Sequence, residues 1–91
     1  MRANVLSDLC WTEYEKRKLS EDGDPSVFSP DHPWELNYLI RLIRKNYSEY
    51  TETAAFLSIR QATKGLPAPR KREDFVRFVV EDLLKGTPYR N

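Results

Sequence analysis

The sequence predicts an all-α fold, a small helical bundle. Apolar residues recur at three- and four-residue spacing in four separate segments, as they do along one face of a helix. No segment alternates apolar and polar residues for long enough to make a strand. The prolines and glycines fall between the four segments, where they punctuate helices without breaking them. With 91 residues, 40% of them hydrophobic and 32% charged, the chain has the material for one small globular domain. We expect residues 1–91 to form that single domain around a thin core.

The first helix is expected over about residues 4–19. Leu6, Leu9, Cys10 and Tyr14 share a face, Asn4 or Ser7 can cap the start, and Lys16, Arg17 and Lys18 come late, where they suit the helix dipole. A connector follows over 20–32. Gly23, Pro25 and Pro30 exclude a long helix there, the acidic stretch around Glu21, Asp22 and Asp24 belongs in water, and Val27 and Phe28 are suited to pin the segment to the body.

A three-helix unit is expected over about 33–85. Its first helix opens on Pro33, which is welcome where a backbone N–H has no partner anyway, and Glu35 adds a carboxylate at the positive end of the dipole. Leu36, Leu39, Ile40, Ile43 and Tyr47 form its apolar stripe, and Asn46 is suited to end it. The next helix begins near Ser48 or Thr51, either of which can cap it, and carries Ala55, Ile59 and Ala62 on one face. Gly65 is expected to end it in the left-handed conformation, with Leu66 folding back on the last turn. The last helix runs from about Lys71 to Lys85 with Phe75, Val76, Val79, Val80, Leu83 and Leu84 inward, and Gly86 and Pro88 stop it. Leu39, Ile43, Ile59, Val79 and Leu83 are the expected centre of the core.

The catalytic inventory is poor. Cys10 is the single cysteine and His32 the single histidine, so an internal disulfide, a Cys-rich zinc site and the common two-histidine metal sites are excluded. Cys10 reads as a small buried hydrophobe and His32 as a helix-start residue whose ring satisfies a backbone donor. Gly23, Gly65 and Gly86 are isolated and make no phosphate loop, and Asp22-Gly23-Asp24 lacks the later carboxylate of a calcium loop. We expect no enzyme activity, no cofactor, no metal and no small-molecule substrate.

What remains is surface. Trp11, Tyr14, Trp34, Tyr38, Tyr47, Tyr50, Phe56, Phe75 and Phe78 are many aromatics for so small a core. They either plug the junction between the first helix and the three-helix unit or meet a partner, with Trp34, Tyr38 and Phe78 as anchors. Charge is uneven although the net is +1: residues 1–40 hold 4 basic and 8 acidic side chains, residues 41–77 hold 9 and 4. Arg60, Lys64, Arg70, Lys71 and Arg72 therefore make a candidate patch for phosphates or an acidic partner. A near-neutral chain disfavours nucleic-acid binding by bulk charge. The turn from Gly65 to Pro69 is also longer than the tight turn of a DNA-reading helix pair. The function expected is a non-enzymatic helical protein-interaction or structural module that pairs with a protein or with itself as a homodimer. The alternative is a nucleic-acid-binding accessory domain. No apolar run reaches signal-peptide or membrane-spanning length, so a cytoplasmic location with no membrane partner is expected.

Overall fold

A computed structural model describes residues 11–85, and over them the fold is all-α. The expected residues Asn4, Leu6, Ser7, Leu9 and Cys10 at one end, and Gly86 and Pro88 at the other, lie outside the described range. Helix α1 spans Trp11–Ser20, α2 Pro33–Asn46, α3 Glu52–Gly65 and α4 Arg72–Lys85. Helix α3 packs against both α4 and α2.

The local chemistry explains each boundary. Pro33 opens α2 behind an extended His32, whose ring makes no capping bond. Thr51 caps α3, its Oγ1 accepting the Ala54 N–H at 3.1 Å. Asn46 closes α2 and donates its side-chain amide to the Leu42 carbonyl at 2.9 Å. Glu73 and Asp74 stand in the first turn of α4, as the dipole favours.

Helix α1 ends in a six-residue cap. The Gly23 N–H reaches back to the Lys18 carbonyl at 2.7 Å and the Asp22 N–H to the Leu19 carbonyl at 3.1 Å, which satisfies two carbonyls left over at the helix end. The geometry puts Asp22 in the left-handed region at φ 61, where a side chain is disfavoured. Asp22→Gly should therefore raise stability by about 0.5 kcal/mol, the relief of that strain exceeding the added freedom of the unfolded chain. Urea denaturation checks it, and a loss of stability contradicts it.

Gly65 corrects the expectation drawn from sequence. No glycine among the described residues has a positive φ, so Gly65 does not end α3 as a left-handed residue. Its missing side chain serves packing instead. A Cβ there would stand 3.0 Å from both Cε2 and Cζ of Phe78, so glycine is what lets α4 lay that ring against the end of α3.

The core is the expected one. Leu39, Ile43, Ile59, Val79 and Leu83 are all buried, joined by Ile40, Leu42, Ala55, Ala62, Phe75 and Val76. Leu84, expected inward, is partly exposed at the edge of the stripe. The connector is tied down as expected by Phe28, which is fully buried and stacks on Phe75 with ring centres 4.9 Å apart. Backbone bonds flank this anchor. Phe28 N–H donates to Arg70 O at 2.9 Å and Arg72 N–H to Ser26 O at 2.6 Å, forming an isolated antiparallel bridge between Val27 and Lys71. The connector is thereby sewn to the loop between α3 and α4.

Candidate functional site

Helix α1 offers Trp11, Tyr14 and Lys18 on one face, and all three are buried. The aromatic pair forms the junction with α2. Tyr14 stands edge-on to Trp11 at 4.9 Å between ring centres, 5.3 Å from Trp34 and 5.5 Å from Tyr38. Lys18 follows one turn later and cannot stay charged in such a place without a partner. The partner is Glu35, in the first turn of α2 and 1% exposed. Lys18 Nζ donates to Oε1 at 3.1 Å and to Oε2 at 3.0 Å. The Tyr14 hydroxyl donates to Oε1 at 2.7 Å, the Ser29 N–H to the same oxygen at 2.9 Å, and His32 Nδ1 sits 2.9 Å from Oε2.

Burial pushes the Glu35 carboxyl up, but the Ser29 N–H, Tyr14, His32 and Lys18 outweigh it and hold the group below its ordinary value. Burial and then the adjacent carboxylate push the Tyr14 hydroxyl far above the usual tyrosine range. The cluster is thus an ionised Glu35 accepting from every side, with Tyr14 neutral. Its lone pairs are engaged by groups of the chain itself. It clasps α1, the connector and α2 together.

The sequence-derived residues separate into two sets. Trp34 and Tyr38 are half-buried at the α1 junction, where Trp34 Nε1 donates to Glu21 at 3.2 Å and the Arg17 guanidinium lies 4.3 Å over its ring. Phe78 is half-buried against Gly65, so the three aromatics are not brought together on one surface. Arg70 is turned inward to end α3: its Nε donates to the Leu66 carbonyl at 2.8 Å and its Nη2 to the Thr63 carbonyl at 3.1 Å. Arg72 pairs with Glu15 at 3.1 Å, donates to the Pro25 carbonyl at 3.3 Å and covers Trp11 at 4.7 Å. Arg60, Lys64 and Lys71 stay exposed.

Arg60 and Lys64 are one turn apart on the outer face of α3, and Phe56, one turn before Arg60, continues their row. Phe56 is 37% exposed and its neighbour Leu57 is 53% exposed, so this helix carries two of the four large apolar side chains that reach solvent among the described residues. A groove runs along each side of that ridge. One, of about 340 Å³, lies between Phe56, Ile59, Arg60 and Lys64 on α3 and Pro30, Asp31 and Leu36 on the connector and α2. The other, of about 360 Å³, lies between Thr53, Ala54 and Leu57 on one side and Tyr50 and Leu83 on the other.

Among the described residues, no three His, Cys, Asp or Glu side chains converge as metal ligands would, and no helix is long and apolar enough to cross a membrane. In comparisons with protein-family models, curated proteins and solved structures, nothing matches the chain.

Sequence reasoning missed Lys18 and Glu35, and a signal was there. Lys18 is four residues after Tyr14, on the buried face of α1, and Glu35 is four residues before Leu39, on the buried face of α2. Opposite charges on two apolar stripes are the signature of a buried pair.

Proposed function

We propose that this chain is a non-enzymatic helical protein-interaction module of the cytoplasm, and that its outer α3 face is the docking surface. The observation that carries the reading is the adjacency of exposed Phe56 and Leu57 with the cations Arg60 and Lys64. Aromatic and aliphatic anchors beside a charged rim are the composition of protein interfaces. The ionisable groups that burial would make reactive support the non-enzymatic part, because Glu35, Lys18 and Tyr14 are spent on one another. Trp34 and Tyr38 contribute by fixing the framework and not as anchors of the partner.

The expected outcome is a discrete protein adduct from a photo-crosslinking residue placed at Leu57 in the full chain, in its own cells. The same residue at Lys16, exposed on the far helix, should give none. An adduct of twice the chain mass identifies a homodimer as the working form, and any other discrete mass a separate partner protein. Failure of position 57 to capture any protein overturns the reading.

A further inference from the structure

We infer that the groove between α3 and the connector is a docking site for an acidic amphipathic segment of a partner protein. This rests on the interaction reading above and names its partner chemistry. The floor of the groove is apolar, made by Phe56, Leu36 and Ile59. Its α3 wall carries Arg60 and Lys64, and among the described residues neither has an ion pair. Several other surface cations are answered by the chain itself, Arg17 by Glu21, Arg77 by Glu73 and Asp74, Lys16 by Glu13, Arg72 by Glu15. Arg44, Lys71 and Lys85 are exposed without an ion pair among the described residues, as Arg60 and Lys64 are, but Arg60 and Lys64 stand together beside an apolar groove. Two cations left over on the rim of an apolar groove fit an occupant that inserts aliphatic side chains and sets carboxylates along one edge.

The same geometry argues against a nucleic acid. Arg70 is withdrawn to the end of α3 and Arg72 to Glu15 and Trp11, which takes both ends out of the run Arg70-Lys71-Arg72 and leaves only Lys71 exposed. Asp31 stands on the opposite lip, where a phosphate backbone crossing the groove would meet a like charge. An amphipathic helix lessens that repulsion by turning its acidic edge toward α3.

The test is a titration of the full chain followed by amide NMR shifts. The probe is a short labelled helical peptide with leucines along one face and glutamates along one edge of that face. Its counterpart has every glutamate replaced by glutamine. The acidic peptide should bind with shifts centred on α3 and the start of α2. Arg60→Glu with Lys64→Glu should weaken it about tenfold, since two exposed attractive pairs become repulsive. Asp31→Asn should tighten it. Equal binding of the glutamine peptide overturns the proposal, as do shifts centred elsewhere or stronger binding of a DNA or RNA duplex. Dilution shifts in α3 without peptide would put a second copy in the groove and also overturn it. If the acidic peptide fails to bind while position 57 still captures a protein, this proposal falls and the interaction reading stands.

Discussion

Replacing Glu35 by alanine should cost on the order of 3–5 kcal/mol, because it leaves the Lys18 ammonium buried without its counter-charge. The cost includes more than one pair. The Tyr14 hydroxyl, the Ser29 N–H and the His32 ring lose the same acceptor. A small domain has roughly 5–15 kcal/mol in all, so the variant is expected to be close to unfolded at ambient temperature. The matched double variant, Lys18→Met with Glu35→Leu, should recover most of the loss, since two apolar side chains of similar size need no counter-charge. Tyr14 is not stranded in it, because its hydroxyl already lies 3.1 Å from the Val27 carbonyl. Urea denaturation of the native chain, Lys18→Met, Glu35→Leu and the double variant closes the cycle, with Glu35→Ala measured beside them. A single Glu35→Ala cost below about 1 kcal/mol would show the cluster to be solvated in solution.

The pH dependence has a fixed sign. Glu35 is held below its ordinary value in the folded chain, so folding favours its ionised form. The stabilisation is fully present above the unfolded carboxyl range, about 4.3, and drains away as pH falls through the folded value. In Glu35→Gln this part of the acid limb should flatten, while stability near neutrality drops.

Phe28→Ala is the second large effect, at about 3–5 kcal/mol. Phe28 is 1% exposed and lies in the connector, stacked on Phe75 of α4 and parallel to Tyr14 of α1 at 6.2 Å. Its removal opens a cavity where three segments meet, and the flanking bonds at Arg70 and Ser26 lose the plug that keeps them dry. Val27→Ala next door should cost far less, because Val27 is only half-buried. Equal costs at the two positions would mean that the connector is held by its backbone bridge and not by the ring.

The helices were legible in the sequence because their signals are local. Thr51 caps α3 from three residues away, and the stripe from Leu36 to Tyr47 repeats within one segment. Phe28 was legible as a large apolar residue in a stretch otherwise made of turn formers. The basic run was not, because charge counting cannot tell a solvated cation from one spent on carbonyls. Arg70 and Arg72 differ only in what the folded chain brings beside them. Gly65 misled for a similar reason: a glycine at a helix end satisfies two different needs, backbone freedom and room for a neighbour, and only the position of Phe78 decides between them. Lys18 and Glu35 lie 17 residues apart across a connector, and each had an ordinary local explanation.

The clasp between those two residues also constrains how the sequence can change over generations. A drift at position 18 alone strands a carboxylate, and a drift at position 35 alone strands an ammonium, so each single step falls into a stability trough of several kcal/mol. An apolar pair lies beyond that trough, reachable only by near-simultaneous exchange or by a lineage with stability to spare. Among descendants of this chain, positions 18 and 35 should therefore change together or not at all, while Arg17 and Glu21, an exposed pair one residue along, are free to vary singly.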